Sequence, residues 1–531
     1  MLKAVIALDE TVLQRGLEQL VADELLYQRG REQRSRYIFK HALIQDAAYQ
    51  SLLNRTRQQY HHQVAELLES RFPELAQTQP ELVAHHFTEA GAWEQAAAYW
   101  QQATTQALSR SANEEAISYL DRGIEGVVAL PEAPTRDEQE LELQIRLAVT
   151  LVPAKGWSAP QTVAAFARAR ELCHLTGNRS HLITVNWGEY TGHLLRGELD
   201  VALQKAREML RGAERDDDIT ARLMAHRSIG VTSVHRGDFD SAREHFEGAL
   251  ALYDPVQHRP LAFRYGYDIR AALLTYLTHA LLELGYPAQS LLRIQEALEN
   301  ARAMDHGPTL AFTLFNVCFF RQRYGGLEAQ RALVDELIAV CAAHGLSAFG
   351  SIGVACRGHL SMLSEPSETA LAEIEAGTNT WRGSSAQIIM PWFLTLLAQA
   401  YGALDRPERG LACLDDALGI VKLTNERLYL PGVLQTKAEL LLAGPTPDPS
   451  RAEASFKEAI RISREMDAHL PELRAATRLA RLWRQQDKSK EALQVVVDCL
   501  DWFSEGFDAP DLQAAQALVD ELKPPVDAGV G

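Results

Sequence analysis

A three-position signature recurs along this chain at intervals of about 40 residues, and no other feature restricts the possible folds as strongly. Each copy has a small residue, a large residue four positions later, and a second small residue three positions beyond that. From residue 202 onward, the first members of successive copies are 40, 48, 40, 40, 40, 42 and 40 residues apart. Unrelated helices would not keep this spacing, so the pattern predicts stacked copies of one structural unit.

The spacing within each copy indicates a helix that packs closely on a neighbour. Offsets of four and three residues place all three side chains on one helical face. The small residues let a neighbouring backbone approach, and the large residue fills the remaining space. Ala206 and Gln330 depart from the pattern. The copies are Ala96/Trp100/Ala103, Ala116/Leu120/Gly123, Ala202/Ala206/Met209, Ala242/Phe246/Ala249, Ser290/Ile294/Ala297, Gln330/Val334/Leu337, Ala370/Ile374/Gly377, Gly410/Leu414/Ala417, Ala452/Phe456/Ala459 and Ala492/Val496/Cys499.

Turn sequences such as Arg236-Gly237-Asp238 precede several copies, and strand patterns are scarce. Residues 236–250, RGDFDSAREHFEGAL, resemble the tetratricopeptide repeat. The resemblance implies an all-α, tetratricopeptide-like α-solenoid, a right-handed superhelix of helical hairpins, and we expect more than about 70% helix. The period exceeds the usual length of about 34 residues, so we expect longer helices or loops. HEAT repeats have a similar period and remain the alternative.

Charge and composition restrict the partners and the location. The formal net charge of −17 argues against general nucleic-acid binding, because phosphate is attracted by surfaces rich in Lys and Arg. The apolar stretch within residues 1–10 is too short for a signal sequence and runs directly into two acidic residues. The apolar window 388–398 has about half the length of a membrane span. We therefore expect a cytoplasmic protein without membrane contact. Buried, unpaired thiols are predicted for Cys173, Cys318, Cys341, Cys356, Cys413 and Cys499.

Four segments outside the best repeats look like parts of one bacterial family. They are residues 37–53 (YIFKHALIQDAAYQSLL), 80–91, 154–160 and 502–512. The family joins an adenylate/guanylate cyclase domain, a STAND-type AAA-like ATPase and a tetratricopeptide tail, and this chain resembles its C-terminal half. The resemblance implies a small winged-helix-like remnant at residues 1–75, helical repeats at 76–522, and a disordered tail at 523–531.

The chain departs from that family by lacking its catalytic parts. It contains no G-x-x-x-x-G-K-[ST] motif and no Gly-Lys pair, so it cannot build a phosphate-binding P-loop. No segment resembles the cyclase catalytic domain. We therefore expect no catalytic residues, no cofactor and no enzymatic activity, and we interpret the chain as a fragment, a truncated gene or a split subunit.

The predicted function is that of a scaffold and sensor arm. Solenoids offer long, rigid surfaces, so protein or peptide partners are expected on the concave face, with an ATPase/cyclase module bound in cis or in trans. An independent adaptor without such a module is an alternative. A second alternative is a transcriptional regulator that uses its basic N-terminal module on DNA. That basic stretch comprises Arg29, Arg31, Arg34 and Arg36, with Lys40, Arg55 and Arg57 nearby.

His41 is the strongest candidate for a site residue. In STAND ATPases a winged-helix histidine in a similar context is thought to contact the nucleotide phosphate, so the resemblance implies this role for His41. Without a P-loop in the chain, the nucleotide would have to be held by another polypeptide or region. The alternative is a structural histidine that is satisfied within its own module.

Two other groups of residues suggest sites but have simpler explanations. The adjacent pairs His61/His62 and His85/His86 invite a metal hypothesis, yet neighbouring helix residues point about 100° apart and no H-E-x-x-H spacing exists. No metal site is therefore predicted. A set of aromatic residues is expected mainly in the core, with a lining of the concave groove as the alternative: Trp187, Tyr190, Tyr265, Tyr267, Trp381 and Trp392.

Overall fold

The computed structural model describes residues 5–6, 9–30, 36–110, 112–178, 181–325, 327–443 and 446–523. It is 81% helical, which confirms the predicted all-α, tetratricopeptide-like solenoid. The chain divides into two compact units. Unit 1 contains Met1–Lys155 and Ala164–Arg179, and unit 2 contains Gly156–Val163 and Ser180–Gly531. The predicted boundary near residue 75 stays a prediction, and all of the predicted tail except Lys523 lies outside the described residues.

Unit 1 begins with a helix and a two-stranded antiparallel hairpin in which Leu26 is paired with Phe39. The carboxylate of Asp9 caps the first helix by accepting a hydrogen bond from the Thr11 N–H at 2.9 Å. The winged-helix-like character of this region stays a prediction. The elements of this region are α1 (Glu10–Ala22), β1 (Leu26–Arg29), β2 (Arg36–Phe39), α2 (Ala42–Ser51), α3 (Asn54–Arg71), α4 (Pro73–Thr78), α5 (Pro80–Ala90), α6 (Trp93–Ser109), α7 (Asn113–Val128), α8 (Pro134–Lys155) and α9 (Pro160–Thr176).

Unit 2 is a series of helical hairpins. The first helices of successive hairpins are α10 (Leu182–Leu195), α12 (Ile219–Arg236), α16 (Ile269–Glu283), α18 (Gly307–Tyr324), α20 (Ser347–Ser364), α22 (Met390–Ala403), α24 (Leu430–Ala443) and α26 (His469–Gln485). The second helices are α11 (Leu199–Arg215), α13 (Phe239–Leu252), α17 (Pro287–Arg302), α19 (Leu327–His344), α21 (Glu368–Gly383), α23 (Pro407–Thr424), α25 (Pro449–Glu465) and α27 (Ser489–Leu500), and α28 (Pro510–Leu522) follows.

The interval of 48 residues in the repeat has a structural cause. Between α13 and α16 the chain forms α14 (Pro255–His258), a 3-10 turn (Arg259–Leu261) and α15 (Ala262–Tyr265). Elsewhere the longer period comes from longer helices, since α18 and α19 have 18 residues each. This confirms the expectation drawn from a period above 34 residues.

The small-large-small signature marks the packing face of the second helix in every hairpin of unit 2. All of its residues are buried except Met209, which is partly exposed. A Cβ on Gly410 would lie 2.8 Å from the carbonyl oxygen of Ala398 on the preceding helix, so only a small residue fits there. Gln330 departs from the small-residue rule because its side-chain amide donates a hydrogen bond to the Cys318 carbonyl at 3.2 Å.

The first helices form an inner layer that has little contact with solvent. None of the described side chains of α16 or α18 is exposed. The reason is that hairpins far apart in sequence stack on each other: the Gln387 N–H donates to the Leu195 carbonyl at 2.7 Å, and the Arg427 N–H donates to the His235 carbonyl at 2.8 Å. The predicted open concave face is therefore not available along these inner helices, because successive superhelical turns cover it.

Candidate interaction surface

The N-terminal part of unit 1 buries very few side chains. Within the described part of residues 9–64, only Leu13 and Leu26 are buried. Exposed apolar side chains in a group mark interaction sites far more often than scattered ones do. We use the name N-terminal apolar surface for the exposed residues Val12, Leu20, Tyr27, Ile38, Phe39, Leu43, Tyr49, Leu52, Leu53 and Tyr60.

Helix α2 contributes Leu43 and Tyr49 to this surface. None of its residues is buried, and Leu43 is 80% exposed. Leu53, between α2 and α3, is 77% exposed. Tyr49 of α2 contacts His61 of α3, but none of the described residues buries a side chain of α2. An amphipathic helix is stabilised mainly by packing its apolar face, and in α2 that face stays open to solvent.

His41 occupies the N-cap position of α2. Its backbone is extended, with φ −137° and ψ 138°, and its side chain does not cap the helix. The side chain is exposed and forms no hydrogen bond or ion pair with the residues that the structure describes. Both the role of His41 in nucleotide binding and the alternative of a structural histidine within its module stay predictions.

The basic stretch offers a less continuous surface than the sequence implies. Lys40 forms an ion pair with Glu24 at 2.7 Å, and this contact raises the pKa of Lys40 and lowers that of Glu24. Arg57 lies over the ring of Tyr49, 5.1 Å from its centroid. Arg31 and Arg34 lie outside the described residues. The DNA-binding hypothesis therefore gains no support from the described basic side chains.

The two histidine pairs come together across α3 and α5. Nδ1 of His61 lies 2.9 Å from Nδ1 of His86, and Nε2 of His61 lies 3.0 Å from the Tyr49 hydroxyl. Burial, followed by the proximity of His61 and His85, lowers the pKa of His86 to about 4. Sequence analysis missed this cluster because it joins residues of two helices. Among the described residues, no group of three or more His, Cys, Asp or Glu side chains is placed to hold a metal ion.

The aromatic residues that were candidates for a groove lie almost entirely in the core. Five of the six are buried, and Tyr267 alone is partly exposed.

The cysteines follow the same pattern as the aromatic residues. All six are unpaired thiols, and only Cys413 is partly exposed. Burial raises the pKa of the Cys341 thiol to about 12, which leaves it uncharged and unreactive. The prediction of structural roles for these residues is confirmed.

A buried polar contact holds two superhelical turns together, and sequence analysis missed it. Glu426 is fully buried, and both of its carboxylate oxygens accept the Ile389 N–H at 3.0 Å. One of them lies 2.9 Å from Nδ1 of His235, which is 191 residues away in the chain. Ile389 has a φ of 61°, a strained value for a β-branched residue. The hydrogen bonds to Glu426 hold that strained turn in place.

No helix within the described residues combines the length and the apolar character that a membrane crossing demands.

Comparison with known proteins yields one distant relative. No protein-family model matches the chain. The uncharacterised protein R02095 of Rhizobium meliloti (strain 1021) is 22% identical over 456 residues, which cover 84% of this chain and 43% of that protein. The chain thus spans less than half the length of this curated relative.

Solved structures resemble the chain only in part. A Rap protein in complex with competence and sporulation factor has a TM-score of 0.48 and 11% identity, covering 70% of this chain and 98% of its own. The Cut9–Hcn1 hetero-tetramer of APC/C has a TM-score of 0.42 and 9% identity, and the match covers 91% of this chain and 92% of the Cut9–Hcn1 chain. The human IFIT1 dimer with m7Gppp-AAAA has a TM-score of 0.39 and 12% identity, and the match covers 77% of this chain and 89% of the IFIT1 chain. The fold assignment therefore stands on the helical hairpins of this chain.

Proposed function

We propose that this chain is a non-catalytic scaffold and sensor arm of a bacterial signalling ATPase/cyclase system, and that its N-terminal apolar surface docks on the nucleotide-binding module. The observation that carries the proposal is that none of the residues of α2 is buried and that all but Ile44 are exposed. A helix with Leu43 four-fifths exposed, next to an equally exposed Leu53, is suited to bury that surface against another protein.

The rest of unit 1 supports the view that this surface is functional. Helices α5 and α6 pack well, with Val83, Phe87 and Ala96 buried. The chain therefore forms a normal core wherever it supplies two facing helices. The described residues of the segment before these helices bury few side chains, which favours a cover supplied by another protein.

The ATPase/cyclase assignment rests on residues 37–53 and on what the chain lacks. This segment, which carries the family resemblance, contributes β2 and α2 to the exposed surface. The missing P-loop means that any nucleotide chemistry must reside in another region or chain. The matched relative extends far beyond this chain, so there is room for such a module in longer proteins of this kind.

The decisive experiment compares two leucines of equal exposure. Leu43 in the N-terminal apolar surface and Leu423 on α23 are each 80% exposed. The probe is the nucleotide-binding module encoded with or next to this chain, and binding is measured by calorimetry. We expect Leu43→Asp to weaken binding at least about tenfold, and Leu423→Asp to leave it unchanged.

Three results would contradict the proposal. The first is equal binding by both variants. The second is hydrolysis of ATP or synthesis of a cyclic nucleotide by the purified chain alone. The third is duplex DNA binding that falls with salt and is lost when Arg31, Arg34 and Arg36 are replaced, which would favour the transcriptional regulator.

A further inference from the structure

Arg227, on α12, is a buried cation without a carboxylate partner. It is 4% exposed. Its Nη2 donates to the Tyr267 hydroxyl at 2.5 Å, the only hydrogen bond that its guanidinium makes with the described residues, and it forms no ion pair with any of them. A charge removed from water is costly unless it is paired, so such an arginine requires an explanation.

Two buried carboxylates of unit 2, those of Glu426 and Asp268, are already used by other groups. Glu426 is held by the Ile389 amide and His235, as described above. Asp268, next to Tyr267 in the chain, accepts hydrogen bonds from the Tyr253 hydroxyl, the Ala271 N–H and the Asn300 side chain. Neither carboxylate is available to neutralise Arg227.

A second unused donor lies beside the guanidinium. Trp187 is 3% exposed, and its indole N–H is buried without a hydrogen-bond partner among the described residues. Cζ of Arg227 lies 6.0 Å from the centroid of the Trp187 ring and 5.2 Å from that of Tyr267. Two donors that seek an acceptor therefore lie close together inside unit 2.

The walls around these donors are aromatic and border accessible space. The ring of Tyr267 stacks on Phe312 with centroids 4.0 Å apart. Tyr276 has the rings of His235, Phe246, His279 and Phe312 within about 6 Å, yet the residue remains partly exposed, so solvent-accessible space reaches this group of aromatic residues.

We propose that this region of unit 2 binds a small carboxylate with a planar, aromatic body. One unpaired guanidinium is matched by one negative charge, and a carboxylate has two oxygens that accept from the guanidinium and the indole N–H together. The flat rings of Trp187, Tyr267 and Tyr276 suit an aromatic body. A phosphate dianion carries a second negative charge that a single guanidinium would leave unneutralised in a buried site.

This site is separate from the N-terminal apolar surface, and it goes beyond the scaffold function. Its test measures a small molecule on the isolated chain, so its failure says nothing about docking to a nucleotide-binding module. Loss of docking in Leu43→Asp would likewise leave carboxylate binding intact.

The experiment uses benzoate and phenylacetate as probes on the full chain, with binding followed by calorimetry and tryptophan fluorescence. The neutral isostere benzamide and inorganic phosphate are the comparison ligands. We expect at least one carboxylate to bind with a Kd of about 1 mM or lower, and both comparison ligands to bind at least about tenfold more weakly. Equal binding of benzoate and benzamide, or no carboxylate binding up to about 10 mM, would overturn the proposal.

Variants test which groups bind the carboxylate. Arg227→Met should weaken carboxylate binding at least about tenfold, whereas Arg270→Met, which removes a guanidinium paired with Glu296, should leave it unchanged. Trp187→Phe keeps an aromatic ring at this position but removes the indole N–H, and it should weaken binding by a smaller factor than Arg227→Met. Undiminished binding by Arg227→Met would overturn the proposal.

Stability separates a ligand-binding arginine from a structural one. Removal of an unpaired buried charge should raise the Tm of the ligand-free protein, so Arg227→Met is expected to melt at a higher temperature. If that variant fails to fold, Arg227→Lys keeps the charge and should retain carboxylate binding at reduced affinity. A lysine variant that folds and binds benzoate no better than benzamide would also sink the proposal.

Discussion

Helices α2 and α16 have opposite relationships to solvent. In α2 (Ala42–Ser51) no residue is buried, and in α16 (Ile269–Glu283) none is exposed. Helix α16 contacts α12, α17 and α18, and the next superhelical turn places α26 against it. Within the described residues, no element buries the side chains of α2 in a comparable way. Unit 2 thus covers its own inner helices, whereas the start of unit 1 leaves apolar side chains exposed, which is the observation behind the proposed docking surface.

Removal of the polar contact between superhelical turns should produce the largest loss of stability. Glu426→Ala leaves His235 and the Ile389 N–H without their buried acceptor, and we expect a loss of about 3–5 kcal/mol in the free energy of unfolding, measured by chemical denaturation. The matched control is Glu458→Ala, which removes an exposed ion pair with Arg461 and should cost less than about 1 kcal/mol. Equal losses in the two variants would mean that the turns are held together by other contacts.

A leucine from each of the two compared regions tests the contrast directly. Leu273 on α16 is fully buried, so Leu273→Ala should cost about 2–5 kcal/mol through lost burial and the cavity it leaves. Leu43→Ala on α2 should change the free energy of unfolding by no more than about 0.5 kcal/mol. Denaturation curves of both variants check this, and a large loss in Leu43→Ala would show that α2 is packed in solution.

Acid should destabilise the inner layer through His359. Burial lowers the pKa of His359 to about 4, whereas the unfolded chain titrates near about 6.5. As the pH falls from about 6.5 to about 4, the unfolded state takes up a proton that the native state does not, so stability decreases by up to about 3 kcal/mol. Tm measured across this range should fall less steeply in His359→Gln than in the parent. His62→Gln, at a half-exposed position, should leave the slope unchanged.

The smallest expected effect concerns the repeat signature itself. Ala242→Phe places a large side chain where two helices approach closely, and it should cost about 1–3 kcal/mol through overpacking. Ala251→Phe, at an exposed position on the same helix, should be nearly neutral. Melting temperatures of the two variants provide the measurement, and an unchanged Tm in Ala242→Phe would contradict the assigned register.

Local features of the fold were readable from the sequence. The signature at Ala242, Phe246 and Ala249 identified the buried face of α13, and the turn at Gly237 identified the end of α12. Both rest on interactions between residues a few positions apart or between adjacent helices, which a regular period reveals. The contact of Glu426 with His235 joins residues 191 positions apart, and no local pattern indicates it.

The candidate sites divide in the same way. The family resemblance led to His41 and to the exposed segment around it, but exposure itself is a property of the folded chain. Arg227 was not predicted as a site residue, because an arginine in a helix normally indicates a solvent-facing position. Only its burial beside Trp187, without a carboxylate partner, distinguishes it.

The sequence by itself determined that the chain is a series of helical hairpins, which side of each second helix is buried, and that no P-loop is present. These properties follow from periodicity and from residue identity. The tertiary structure alone decided that the superhelical turns close on each other, that the guanidinium of Arg227 in the inner layer is buried without a carboxylate partner among the described residues, and that the described residues leave α2 uncovered. Each of these properties depends on which distant segments come into contact. The contacts are set by the sum of the small rotations between successive hairpins, and no single rotation determines them.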